Sequence, residues 1–114
     1  MNFDYNETQQ LLAESVLRFA AKDYDFETRK RIVNSTEGWS KDVWHTMADM
    51  GLLGIPFSAD YGGFGGGAVD SMNVMEAIGG GLMVEPYLPT VGLGAQFVAR
   101  AGSAAQRNAI LPGV

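Results

Sequence analysis

A length of 114 residues fits one domain, and a hydrophobic fraction of 46% suffices to bury a core. Thirteen Asp and Glu against eight Lys and Arg give a net charge of −5, which excludes the basic stripe that nucleic acid requires and the polybasic anchor of a membrane surface. The chain has no cysteine, which rules out disulfides and thiolate metal ligands.

The opening MNFDYNETQQ is polar and acidic where a secretion signal is basic and then apolar, so a cytoplasmic protein is expected. No apolar run approaches the roughly 20 residues of a membrane span. From Asn6 the pattern turns helical: Leu12, Val16, Phe19 and Ala20 recur at spacings of three and four, and Asn6 with Gln9 forms a capping-box signature. A more polar helix is expected from Asp25 to Ser35, with Asp25 and Glu27 early and Arg29, Lys30 and Arg31 later, as the helix dipole favours. Thr36, Glu37 and Gly38 end it.

Ser40 then marks the clearest helix start, with Trp39 before it and Trp44 placed to close a hydrophobic staple. Val43, Met47 and Met50 share a face, and Gly51 supplies the left-handed cap. The stretch GLLGIPFSADYGGFGGG is too rich in glycine and proline to be helical throughout and reads as a long structured loop. Helix returns from Val69 to Ile78 and is expected to stop at Gly79, Gly80 and Gly81. Pro86 and Pro89 suit the first turn of a helix from Tyr87 to Ala101, which Gly102 caps. Ser103 and Gln106 repeat the capping box, and a last helix runs to Leu111 before Pro112. The expected architecture is all-α, about six helices in a bundle with one glycine-rich loop.

Few residues invite a chemical role. The cluster Gly62, Gly63, Gly65, Gly66 and Gly67 follows no strand, lacks GxGxxG spacing and precedes no Lys-Ser or Lys-Thr, so a tight turn against neighbouring backbone outweighs a nucleotide site. His45 is the only histidine, and no second imidazole or thiolate accompanies it for a metal or a triad. Asp49, Asp60, Asp70, Glu76 and Glu85 include no matched acid and base, and single carboxylates of this kind normally form a solvated face. Glu76 stands out between Met75 and Ala77, with pairing to an Arg from elsewhere as its plain explanation. Met47, Met50, Met72, Met75 and Met83 suit core packing as well as an adaptable binding surface.

Taken together, four stretches resemble the N-terminal domain of the acyl-CoA dehydrogenase family. They are Trp44, Met47 and Met50 leading into Gly51, Leu52, Leu53, Gly54 and Ile55; Pro56 with Tyr61, Gly62, Gly63 and Gly65; Glu76, Ala77 and Gly79; and Ala101, Gly102, Gln106, Pro112 and Gly113. The match covers nearly the whole chain. VEPYLPTVGLG, from Val84 to Gly94, and the earlier DYDFETRKR also look like the small subunits of pimeloyl-CoA dehydrogenases, which pair with a large subunit.

The resemblance implies an α,β-dehydrogenation of an acyl-CoA thioester, in which a carboxylate base takes the α-proton and the flavin of FAD takes the β-hydrogen as hydride. In the family the base lies in a C-terminal helical domain, and the flavin is held mainly by a middle β-domain and that C-terminal domain. Both are expected to be absent from residues 1–114. No catalytic, FAD-binding or metal-binding residue therefore carries over, FAD belongs to the complete enzyme, and this chain alone is expected to bind none and to be inactive. Aligning Ala101 and Gly102 with the family places Pro86, Pro89, Thr90 and Leu93 on the wall of the acyl pocket. A homo-oligomer or a large-plus-small-subunit hetero-oligomer is expected, without nucleic acid or a membrane span. The competing reading is a free-standing helical module, descended from that domain, that binds a partner protein. An independent small enzyme using Glu76 or Asp70 is the remaining alternative.

Overall fold

Local capping determines where most of the helices start in the computed structural model, which describes residues 4–114. Asn6 Oδ1 accepts the Gln9 N–H and Gln9 Oε1 accepts the Asn6 N–H, both at 2.8 Å, and α1 spans Glu7–Asp23 behind this box. Asp25 accepts the Thr28 N–H at 2.8 Å, a bond that holds its carboxyl below the ordinary range, and α2 spans Phe26–Val33. It ends two residues before Ser35, because the Ser35 N–H turns back to the Ile32 carbonyl in a tighter loop. Ser40 caps α3, Lys41–Asp49, and the Trp39 and Trp44 rings meet edge to face at 6.3 Å, as the staple requires. Gly51 has φ +81° and turns the chain out of that helix.

The glycine-rich stretch is ordered by its own backbone. Two short 3-10 turns, Leu52–Gly54 and Ala59–Tyr61, direct Leu52, Leu53, Ile55 and Phe57 into the core. The chain then doubles back: the N–H groups of Phe64, Gly65 and Gly66 donate to the carbonyls of Gly54, Phe57 and Ile55 at 3.0, 2.7 and 2.7 Å. A Cβ on Gly63 would lie 2.2 Å from the Phe57 carbonyl oxygen, so this approach requires glycine.

Helix α4 spans Ala68–Gly80 and pairs with α1 in the principal helix contact. Val16 and Ala20 of α1 and Val74, Ala77 and Ile78 of α4 are buried there beside Met47 and Leu52. The helix runs two residues past Ile78, contrary to expectation. Glycine in its last turn lets α1 come close: a Cβ on Gly81 would lie 2.7 Å from the Ala20 Cβ.

The last third differs most from the sequence reading. Residues 87–101 are helical, but Leu88–Gly94 form a π-helix before α5, Ala95–Ala101, begins. Pro89 has no N–H to give an α-helical partner, and the widened turn passes over it, with the Ala95 N–H reaching back to Thr90. Helix α6, Ala104–Ile110, starts at the expected Ser103–Gln106 box. Pro112 does not stop the helical path as expected, because Leu111–Gly113 continue as a 3-10 turn whose second residue is that proline. The described residues contain six α-helices and no strand, with the glycine-rich loop at one side, so the architecture is all-α as expected.

The dimensions are 43 × 37 × 21 Å, about two helix layers thick. The radius of gyration, 14.6 Å, exceeds the roughly 13 Å of a rounded domain of this length. A slab this thin leaves most helices with one face at the surface.

Candidate functional site

Two surface features have the size or chemistry of a site, and both involve the helical run 87–101. The first is a groove of about 820 Å³ between the end of the glycine-rich loop, α4 and that run. Pro56, Gly66 and Gly67 form one end, Met72 and Met75 the apolar floor, and Glu76, Gln96 and Arg100 the polar rim. Its volume falls within the range of small-molecule pockets. Gly92 lies at the seam, where a Cβ would sit 3.0 Å from the Met75 methyl carbon. The Arg100 Nε–H is bonded to Gln96 Oε1 at 3.1 Å, which steadies the guanidinium at the rim.

The second feature is the outer face of the same run. Leu88, Leu93 and Phe97 are 53%, 59% and 76% exposed, spaced five and four residues apart as a widened turn followed by an α turn. Val98, Ala101 and Ile110 continue this apolar surface around a shallow depression beside α6. Pro89 and Leu93 are exposed and Pro86 and Thr90 half-buried; three of these four sequence-derived wall residues sit on this run and Pro86 immediately precedes it, all outside the lining of the large groove. The Thr90 N–H donates to the Pro86 carbonyl at 3.2 Å, which joins two of them directly. Gly92 and Gly94 differ: Gly92 meets the α4 side chain of Met75, whereas Gly94 faces only the Pro89 carbonyl across the wide turn.

The remaining candidates take structural roles. Asp70 Oδ2 accepts the Gly67 N–H and its Oδ1 accepts the Gln9 amide, each at 2.8 Å, and these bonds lower its pKa. It caps α4 and ties it to α1. Glu76 Oε2 accepts the Tyr5 hydroxyl at 2.8 Å in place of the expected arginine, and that bond raises the Tyr5 pKa. His45, Asp49 and Asp60 are exposed, and the described residues contain no group of three His, Cys, Asp or Glu able to hold a metal. Met47 is fully buried and Met50, Met75 and Met83 pack against the core, while Met72 is 40% exposed in the groove.

Glu85 is the residue that sequence reasoning misplaced. It is not part of a solvated face but 5% exposed, with Oε2 accepting the Ser40 N–H at 2.9 Å. Its position between Val84 and the Pro86–Tyr87 pair was the available signal. Tyr87, 2% exposed, donates its hydroxyl to the Leu52 carbonyl at 2.9 Å, and burial pushes its pKa up to about 12.

Comparison with known sequences identifies a family. The family model described as "Acyl-CoA dehydrogenase, N-terminal domain" matches residues 6–114. The probable acyl-CoA dehydrogenase YngJ of Bacillus subtilis is 31% identical over 110 residues, covering 95% of this chain and 28% of that protein. The acyl-CoA dehydrogenase FadE27 of Mycobacterium tuberculosis is 30% identical over 77 residues, covering 68% of this chain and 21% of that protein. The chain thus spans less than a third of the length of either relative. No solved structure matches.

Proposed function

The chain belongs to the acyl-CoA dehydrogenase family through its N-terminal domain, and from that premise we propose that it supplies one wall of an acyl pocket in an FAD-dependent α,β-dehydrogenation of an acyl-CoA thioester. The observation that carries this reading is the bare apolar face of residues 88–97. A soluble monomer rarely leaves Leu88, Leu93 and Phe97 uncovered together on one helix. A hydrocarbon chain and the domains that enclose it would bury that face. Pro86, Pro89, Thr90 and Leu93 are the proposed contacts. The two prolines fix φ at one end of the wall, and π turns are frequent at functional sites.

The residues present do not fit the flavin. The amides of Gly63, Phe64, Gly65 and Gly66, the one glycine-rich cluster, are bonded to loop carbonyls and form no phosphate cradle. No reaction step is therefore assigned to this chain. Its part is to orient the acyl group and exclude water, while base and flavin belong to a middle β-domain and a C-terminal domain. A cytoplasmic oligomer, homomeric or of large and small subunits, completes the proposal. No described helix is long and apolar enough to cross a membrane.

A helical module that binds a partner protein would use the same apolar face, so the test must involve acyl-CoA. Leu93→Trp in a complete enzyme carrying this segment changes an exposed side chain without disturbing the core. The expected result is a fall in kcat/KM of about tenfold or more for long acyl chains with short chains nearly unaffected, as when a cavity is shortened. Equal turnover of every chain length by the variant and its parent would remove the wall from the pocket. The 114-residue chain on its own is expected to reduce no dye with any acyl-CoA, and a yellow purified protein with stoichiometric flavin would contradict that.

A further inference from the structure

Glu85 is a buried carboxyl that the proposed function does not use. Its carboxylate stands at the start of α3, where Oε2 accepts the N–H of the capping residue Ser40, 45 positions earlier in the chain. A negative charge is favoured at a helix N-terminus. Beside it lies Tyr24, the C-cap of α1 and 3% exposed, whose hydroxyl oxygen accepts the Val84 N–H at 3.1 Å. Burial raises the Tyr24 pKa to about 12, with the Glu85 carboxylate acting in the same direction and the Val84 N–H against it. The main chain of Glu85 is held as well, since its carbonyl accepts the Tyr87 N–H at 2.8 Å.

These bonds act on a segment that the Tyr87–Leu52 hydrogen bond anchors from its other side. Three residues earlier Leu82 has φ +54°, a left-handed conformation that is strained for a residue bearing a side chain. Immediately after comes Pro86, and then the widened turns in which Pro89 lacks a donor. The Tyr24 oxygen is engaged by the Val84 N–H, which leaves its O–H proton facing the Glu85 carboxylate, so this one carboxylate links the end of α1 to the start of α3.

We propose that Glu85 is a positioning residue, whose buried carboxylate ties the first turn of the wide helix to the end of α1 and the start of α3 and so sets where the acyl-pocket wall stands. The consequence for the pocket rests on the proposed function; the tie itself does not. Glu85→Gln keeps the acceptor for Ser40 but turns an N–H₂ toward a phenol oxygen that already accepts from Val84. Glu85→Ala removes every contact.

Two measurements test this. In the 114-residue chain, amide exchange at residues 84–94 should accelerate about tenfold or more in Glu85→Ala and less in Glu85→Gln, with the α1–α4 pair around Val16 and Val74 unchanged. If Glu85→Ala does not fold, Glu85→Gln carries the comparison. Unchanged exchange, or equal acceleration throughout the chain, would overturn the tie. In the complete enzyme, the kcat/KM ratio of long to short acyl-CoA should shift about tenfold in Glu85→Ala with kcat for the short substrate nearly preserved, and Glu85→Gln should restore most of it. An equal loss at every chain length would overturn the positioning role. A parent enzyme that turns over no acyl-CoA would instead refute the functional reading, and the exchange result would still decide the tie.

Discussion

The α1–α4 pair with its glycine-rich loop and the run from Tyr87 to Ile110 solve opposite problems. In the first region the chain satisfies itself: Val16, Val74, Met47 and Leu52 are almost fully buried, and the loop amides of Phe64, Gly65 and Gly66 are matched to carbonyls two to three turns back. In the second, Tyr87 and Val91 face the core while Leu88, Leu93, Phe97 and Ile110 on the outer side touch little. A closed region must tolerate no loss of shape, whereas an open one keeps surface for something else to cover. Substitutions should therefore be expensive in the first region and nearly free on the outer side of the second.

The sharpest test of that contrast is Gly63→Val. The new Cβ would meet backbone on two sides, 2.2 Å from the Phe57 oxygen and 2.8 Å from the Gly54 oxygen, and backbone cannot swing away. Stability measured by urea unfolding should fall by about 3 kcal/mol or more. Gly62→Val, next door, meets open space but sits at φ +84° and should lose only about 1 to 2 kcal/mol. Equal losses for the two would mean that the loop is not closed by its backbone contacts.

Met47→Ala should cost about 3 kcal/mol, because the side chain is completely buried between helices and leaves a cavity. A loss below about 1 kcal/mol would show that the core collapses around the gap and is less rigid than the contrast requires.

Alkali should loosen the junction between the regions. Tyr24 and Tyr87 both have pKa values raised to about 12, chiefly by burial, above the 10.0 of the free side chain. The folded state therefore holds their protons more tightly than the unfolded state. The stability they contribute is fully present below pH 10 and is lost as pH rises from 10 to about 12. The expected loss is roughly 2 kcal/mol for Tyr87, read as a falling unfolding midpoint across that window, and Tyr87→Phe should flatten the fall. A midpoint independent of pH over that interval would place the phenols in water.

Phe97→Ser should be the smallest effect, within about 0.5 kcal/mol in the 114-residue chain, since the ring is 76% exposed and its removal leaves no cavity. A cost of 2 kcal/mol or more would mean that this face is already covered, and the distinction between the two regions would fail.

Much of this architecture was legible from residues five or fewer positions apart. Asn6 with Gln9, Ser40 with Trp39 and Trp44, and Ser103 with Gln106 predicted three helix starts, because a cap is a hydrogen bond or ring contact within about one turn. Gly51 at φ +81° and the close approach at Gly63 likewise follow from what only glycine tolerates. Resemblance proposed Pro86, Pro89, Thr90 and Leu93 as wall residues, and how far each is exposed appears only in the folded chain.

Tertiary structure alone decided the rest. Glu85 reads as one more surface carboxylate until folding brings Ser40 and Tyr24 to it from 45 and 61 positions away, and Glu76 finds Tyr5 across 71. The widened turns of Leu88–Gly94 and the groove between Met75 and Gly92 depend on how two distant segments pack, with Tyr87 anchored to Leu52 across the core. Short-range bonds form wherever the residue types allow, so a sequence declares them. Contacts between distant segments exist only after loop closure has been compensated by burial, and no local pattern of residues records which partners will meet.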